Sequence, residues 1–419
     1  GRAAVRILPF MEPAFAITLL SSLAAAIAVA NVAMMIRVVT NQSVAALFAA
    51  ASLALSHTFW QQATHTESYA ITAALLTGEW LCLAEFFKTG KVKFILALAL
   101  FNGLGLSNHL LASLATPVDV VVIVWAMRRG AISARQLASA ACLWIAGAAL
   151  YGGIVIAAYV SNGNLAATLR SALFGDFATQ VLNTQLDLRR IALSLGYIAY
   201  NFPGLALPLA VYGACRRGDA VNLFRRVLLV ELLLFGLFVI RYSLAAHYTF
   251  FCPIYLVVAV LAGLGLSALL SQVRAERRTA VVAIAMIAAC WTPIVYWGTA
   301  RTLSQRGALA PLVGKKPYRD GYRAMFVPWG VGEDAEERLR HDVVGLVGDD
   351  GLVLVVDRYS AFNLEYERAL GRLSRSVDQV YVEETGPPAL AEALRKIIRD
   401  SMARHRPIVL IPRDRDVPR

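Results

Sequence analysis

The stretch "AFAITLLSSLAAAIAVANVAMMI", residues 14–36, runs for 23 residues without an acidic or basic side chain. As a helix it would measure about 34 Å, enough to cross a hydrocarbon core about 30 Å thick. In lipid every backbone N–H and C=O needs a partner within the protein. With no two-residue alternation of polar and apolar positions, such a run is a membrane helix.

Runs of this kind recur. Ten apolar segments stand out, at 14–36, 44–60, 69–87, 94–106, 110–127, 137–160, 191–215, 227–240, 253–270 and 279–297. Two of them, 94–106 and 227–240, are short, and Pro203 is expected to break 191–215. The chain is 58% hydrophobic and 16% charged, where a soluble domain averages about 45–50% and about 25%. The predicted fold class is an all-α polytopic membrane domain over 1–297, with about ten transmembrane helices, followed by a small α/β soluble domain over 298–419. The five cysteines show no CxxC or metal spacing and read as small buried hydrophobes.

Basic side chains set sidedness, because cytoplasmic loops hold an excess of Lys and Arg. Arg37, Lys88, Lys91, Lys93, Arg128, Arg129, Arg135, Arg216, Arg217, Arg225, Arg226, Arg274, Arg277 and Arg278 make fourteen on one side. The opposite loops hold six: Arg2, Arg6, Arg170, Arg189, Arg190 and Arg241. The richer side is cytoplasmic, which places residue 1 and the tail outside and implies one further span upstream in a chain with a cytoplasmic N-terminus. The net charge of +12 is explained by orientation and lipid headgroups. Membrane lipids are therefore the expected surroundings, and nucleic acid is not an expected partner.

Past residue 297 the composition changes. The last 122 residues carry 20 basic and 18 acidic side chains and no spanning run. "GLVLVVD" (351–357), "DQVYVEE" (378–384) and "RPIVLIP" (407–412) read as buried strands, alternating with helices over 333–347, 360–372 and 387–403. That alternation predicts a mainly parallel sheet. No GxGxxG and no P-loop occurs, so nucleotide binding is not indicated.

Between the second and third spans sits "SHTFWQQATHTESYA", residues 56–70. Trp60 and Tyr69 fit an interfacial aromatic belt, which leaves His57, His65 and Glu67 unexplained. His109 in "GLGLSNHLL" and Arg241, His247 and Tyr248 in "RYSLAAHYTFFCP" fall at the same outward level. Together they read as the lining of a shared functional cavity, against interface packing for any one histidine alone. A divalent metal held by the His/Glu set stays open, since its ligands would come from separate loops. Deeper in the apolar runs lie Glu79, Asp119 and Glu231. Charges at such depth are costly and face the protein interior or a cavity; Glu79 and Glu231 are expected to pair with inner-side basic residues or to lie nearer an interface.

"LSHTFWQQATHTESYAI" resembles the S-x-x-F-W-x-x-A-x-x-x-E-x-Y outer loop of a family of bacterial multi-spanning proteins. "GLGLSNH" resembles its G-L-x-x-x-x-H turn, and "HYTFFCPIYLVVAVLAGLGL" its Y-F-x-P-x-Y…G-x-G-L span. "VVDRYSAFNLEYERALGRLSRSVDQVYV" is similar to a segment of its outer domain. That family is related to eukaryotic membrane protein O-mannosyltransferases and, with them, to the GT-C glycosyltransferases. The resemblance implies a polyprenyl-phosphate-linked sugar donor, a protein or glycan acceptor and a bacterial inner-membrane location with the tail outside. It implies a catalytic carboxylate in a first outer loop, which would lie upstream of Leu8, so Glu67 is expected to be auxiliary. His57, His65, Tyr69, His109, Arg241, His247 and Tyr248 are the expected substrate-binding set. Two other classes would read the same composition differently: a lipid-linked substrate transporter or flippase, with polar groups at mid-membrane, and a non-catalytic envelope protein. The basic bias yields a direct test of sidedness: a reporter active only in the cytoplasm, fused after Arg419, should stay silent, and a strong signal would reverse the topology.

Overall fold

A computed structural model describes residues 2–216, 221–242, 247–314, 318–356, 358–382 and 388–411. Arg217, Asp357 and residues 383–384 and 412, to which the sequence reading gave loop or strand positions, lie outside the described residues. The chain divides into two compact units, Gly1–Val295 and Tyr296–Arg419.

The first unit is helical. In order come α1 (Pro13–Thr40), α2 (Ser43–Ala54), α3 (His57–Ala63), α4 (Tyr69–Thr89), α5 (Lys93–Asn108), α6 (Thr116–Arg128), α7 (Ala134–Asn162), α8 (Leu165–Phe174), α9 (Leu188–Asn201), α10 (Ala206–Cys215), α11 (Asn222–Arg241), α12 (Cys252–Gln272) and α13 (Ala275–Cys290). A 3-10 turn, Leu110–Leu114, precedes α6, and another, His247–Phe251, leads into α12. Terminators follow the local chemistry. Asn41 ends α1 with φ 58°, and Gly90 and Gly163 end α4 and α7 with φ 67°, the left-handed conformation open to Gly and Asn. Ser133 and Gln136 close a reciprocal capping box at the start of α7, satisfying two N–H groups that the helix leaves free.

All ten apolar segments fall on helices; among the described residues five helices are long and apolar enough to span, or up to seven if each bent pair counts as one. The difference from ten has physical causes. The helix α5 has 16 residues and α6 has 13, about 24 Å and about 20 Å long. The helix α11 is continuous over 20 residues, but Arg225, Arg226 and Glu231 interrupt its apolar run. Nor are the cysteines uniformly buried: Cys82 and Cys252 are, while Cys142, Cys215 and Cys290 lie exposed on helix surfaces.

Two spans are broken. The pair α9 and α10 bends by 109° at Pro203, as its lost N–H and ring clash predict. The pair α2 and α3 bends by 73°, where the sequence reading drew one straight span over 44–60. Ser56 there is extended, at φ −70° and ψ 138°, and its Oγ donates to Leu53 O at 2.8 Å. A serine that satisfies the preceding carbonyl lets a helix stop without Pro or Gly. The two breaks meet: Asn201 Oδ1 accepts from Thr58 N at 2.7 Å, and Asn201 Nδ2 donates to Thr58 Oγ1 at 3.1 Å.

The second unit carries α14 (Thr292–Arg306), begun within the first unit, then α15 (Ala335–Val347), β1 (Leu352–Val355), α16 (Arg358–Ala369), β2 (Asp378–Tyr381), α17 (Pro388–Ala403) and β3 (Ile408–Ile411). The sheet order is β2-β1-β3 and both pairings are parallel. The strand β1 is buried along its whole length, as expected of a central parallel strand. Arg406 binds Asp378 at 2.7 Å and Asp350 at 2.8 Å and donates to Gly351 O and Ser376 O at 3.1 Å. It thereby ties the leading ends of the strands.

Within the membrane unit, small residues let helix backbones touch, because lipid offers no hydrophobic drive to association. A Cβ on Gly147 of α7 would lie 2.7 Å from Leu100 O and Leu104 N of α5. A Cβ on Gly213 of α10 would lie 2.8 Å from Gly265 N of α12, and one on Gly265 would strike Leu209 O. Around Gly236 of α11 there is open space. Gly265→Ala and Gly147→Ala should therefore each lower the thermal unfolding temperature of the detergent-solubilised protein by an amount matching about 1–3 kcal/mol of overpacking. Gly236→Ala should leave it unchanged or slightly raised.

Candidate active site

The residues singled out in the sequence divide into three groups and two outliers. The first group surrounds Tyr69 at the start of α4. Its ring centroid lies 5.3 Å from His109 and 5.6 Å from Phe250, and Phe250 lies 4.7 Å from Tyr242. The Tyr69 hydroxyl hydrogen-bonds Thr249. His109 accepts from Leu111 N through Nδ1 at 3.0 Å, so its neutral ring carries the proton on Nε2. Burial holds the His109 imidazole below its ordinary value, because a charged ring loses hydration there.

The second group joins the two broken spans. His57 of α3 stacks at a tilt on Tyr200 of α9, centroids 5.1 Å apart. Tyr197 contacts His247 at 6.1 Å, Tyr248 at 6.2 Å and Phe251 at 5.7 Å. His247 Nε2 lies 2.7 Å from Val239 O. The 3-10 turn His247–Phe251 serves both groups, sending Thr249 and Phe250 toward Tyr69 and His247 and Tyr248 toward Tyr197.

The third group is cationic. Arg241 ends α11, and its Nε donates to Leu237 O at 2.7 Å. Arg190 of α9 donates through Nη1 to Arg241 O at 3.1 Å, and Asn183 Nδ2 donates to the same carbonyl at 3.2 Å. Arg190 also lies within electrostatic reach of His247. Among the described residues neither guanidinium forms an ion pair. The Arg190 guanidinium thus lies against the end of α11 that carries Arg241, and two half-buried guanidiniums with no acid partner among the described residues favour an anion such as a phosphate in this region.

His65 and Glu67 stand apart. Both are exposed on the turn after α3, and His65 Nδ1 lies 2.7 Å from Gln61 O. The turn is pinned to α1 by Thr18 Oγ1 to Thr66 Oγ1 at 2.8 Å and Ser22 Oγ to Ala63 O at 2.7 Å. No group of three or more His, Cys, Asp or Glu among the described residues has the geometry of a metal site.

The geometry has counterparts elsewhere. Residues 1–132 match the family model described as the protein O-mannosyl-transferase TMEM260 N-terminal domain. No curated protein matches in sequence. Among solved structures, the chain is similar to ArnT from Cupriavidus metallidurans bound to undecaprenyl phosphate, with 14% identity and a TM-score of 0.53 over 98% of this chain and 77% of that one. It is also similar to the same enzyme in the apo state, with 13% identity and a TM-score of 0.50 over 94% and 75%. The fold is thus ArnT-like.

Sequence reasoning missed Arg190, Tyr197, Tyr200 and Asn201. Arg190 had counted only as one of the six sparse outer basic residues, and that rarity was the available signal. Asn201 followed by Phe-Pro carried another, a carboxamide at a helix break. Asn201→Leu should unpair the Thr58 N–H in apolar surroundings and cost about 1–3 kcal/mol, read as a lower unfolding temperature. The exposed His65→Ala should change stability by no more than about 0.5 kcal/mol.

Proposed function

We propose that the protein is a membrane glycosyltransferase that moves a sugar from a polyprenyl-phosphate-linked donor to a protein or glycan hydroxyl at the outer face of a bacterial inner membrane. The single observation that carries this reading is the Arg190–Arg241 pair, unpaired by any acid among the described residues and set beside the His247–Phe251 turn. The ArnT-like fold supports it, since one of the similar structures holds undecaprenyl phosphate.

In the proposed reaction the acceptor oxygen attacks the anomeric carbon, and the bond from that carbon to the phosphate oxygen breaks. The phosphate leaves with the bonding pair. A carboxylate takes the acceptor proton. The Arg190 and Arg241 guanidiniums hold the donor phosphate and offset the charge that grows on it. The aromatic rings around Tyr69 and Tyr197 pack against the sugar and the first isoprene units. Glu67, exposed on its turn two residues before Tyr69, orients the acceptor and supports the carboxylate base.

A transporter or flippase would draw its support from the deep acids Glu79, Asp119 and Glu231. All three are fully buried and engaged by neighbouring donors, an arrangement closer to a sealed packing site than to a substrate path. Transfer of radiolabelled sugar from a polyprenyl-phosphate donor, measured in membranes containing the full chain, tests the reading. Arg190→Ala and Arg241→Ala should each cut transfer about 10- to 100-fold, the loss of one charge-assisted hydrogen bond, and raise the donor KM. Glu67→Gln should cut kcat by about tenfold or more. Full transfer in the Arg190→Ala, Arg241→Ala double variant would overturn the assignment.

A further inference from the structure

Glu79 of α4, Asp119 of α6 and Glu231 of α11 take no part in the outward site. Their relative exposures are 0%, 3% and 0%. Asn102 of α5 gathers the first two, donating through Nδ2 to Glu79 Oε2 and to Asp119 Oδ2, both at 3.1 Å. Asn102 Oδ1 in turn accepts from Thr116 Oγ1 at 2.8 Å and from Trp144 Nε1 of α7 at 2.9 Å. Trp80 Nε1 donates to Glu231 Oε2 at 2.5 Å. Glu79 and Asp119 lie close enough to hydrogen-bond each other, and both Glu79 and Glu231 feel the Asp119 charge. The expected pairing of Glu79 and Glu231 with inner-side basic residues does not occur among the described residues.

Three facts narrow what this cluster holds. Each carboxyl keeps one fully buried oxygen without a hydrogen-bond partner: Glu79 Oε1, Asp119 Oδ1 and Glu231 Oε1. The titratable groups that face the cluster are the acids themselves and the thiol of Cys82, with Glu85 beyond it on the same helix. From α5 and α7 come Asn102 and Trp144, which do not titrate, and no Arg, Lys or His among the described residues faces it. Finally, the polar groups aimed at the carboxyls are N–H donors, which repel a metal cation, and no metal-binding group of residues occurs among those described. Gly105 closes the space beside Glu79 Oε1, a Cβ there falling 3.6 Å from that oxygen.

Burying even one unpaired carboxylate costs several kcal/mol. Carboxyls at this spacing cannot all ionise. A buried acid sheds the cost by keeping its proton. We propose that Glu79, Asp119 and Glu231 form an intramembrane proton-binding site, occupied at neutral pH, whose protons sit on the oxygens left unpartnered and allow α4, α6 and α11 to pack together. Glu79 and Asp119 each carry a proton, and one of the two O–H groups bridges them; Glu231 is held by Trp80 and carries its own.

Infrared spectra of the full chain in lipid nanodiscs test this directly. At pH 7 the protein should show the carbonyl band of protonated carboxylic acid, shifting on exchange into heavy water. Glu79→Gln, Asp119→Asn and Glu231→Gln should each remove part of that band. Each isosteric variant should also unfold within a few degrees of the parent, because a neutral amide replaces a neutral acid. Should one variant fail to accumulate, the parent band and the other two still decide. Absence of the band in the parent, its persistence at full strength in all the variants, or an unfolding temperature that rises with sodium or potassium would mean ionised acids and overturn the proposal.

Discussion

A backbone that breaks inside a membrane protein must still satisfy its N–H and C=O groups, and the Thr58–Asn201 pair does so for two breaks at once. The first turn of α3 exposes amides with no intrahelical acceptor. Asn201, the last residue of α9, supplies an acceptor to Thr58 N and a donor to Thr58 Oγ1. Its Nδ2 also reaches Tyr197 O at 2.9 Å. The interruption of one helix thus caps the interruption of the other. His57 and Tyr200 stand one residue away on either side, so the contact that makes the breaks tolerable also positions the aromatic wall of the candidate site. The 3-10 turn His247–Phe251 completes that wall and connects it to the Tyr69 group.

Deeper in the unit, cohesion has two sources that act at different ranges. Glycines at 147, 213 and 265 bring backbones into direct contact, where many small dispersion terms add. Asn102 spends both donors and both acceptor positions on four side chains from three other helices. A fully used amide of that kind is directional, and any shift in helix rotation leaves one of its partners unsatisfied. Glycine contacts set how near the helices come; the amide sets how they are turned. The Arg190–Arg241 pair is the opposite case, charge left without compensation at a helix end, and that contrast separates the candidate ligand site from the packing sites.

Legibility in the sequence tracked the kind of signal. Long apolar runs announced helices, and all ten segments are helical. Pro203 announced a bend, which occurs. Valine- and isoleucine-rich runs announced the three strands and their parallel order. The bend at Ser56 was not legible, because a serine breaks a helix only when its hydroxyl finds the right carbonyl, and that depends on partners distant in sequence. The number of crossings was not legible for a related reason, since apolar segments of 13–16 residues look alike whether they cross or merely pack. For the site, Tyr69 and His109 do come together, as do His247 and Tyr248 about Tyr197. His65 and Glu67 share the segment but project outward, because a turn of four exposed residues between α3 and α4 turns them from the bundle. Periodicity cannot distinguish those outcomes in a segment so short.

The burial of α12 bears on how the chain is made. Its hydropathy resembles that of α7, yet its spanning window is 83% buried where that of α7 is 11%. Apolarity therefore does not tell a nascent segment whether it is bound for lipid or for the centre. The ribosome delivers residues 252–272 only after α1, α2 and α10, the helices that flank it, have already entered the bilayer. Those helices must wait with their facing surfaces covered by acyl chains, and the arriving segment must displace that lipid to reach Gly213 and Ala49. Assembly of this unit therefore includes the exchange of lipid for protein around a single late helix.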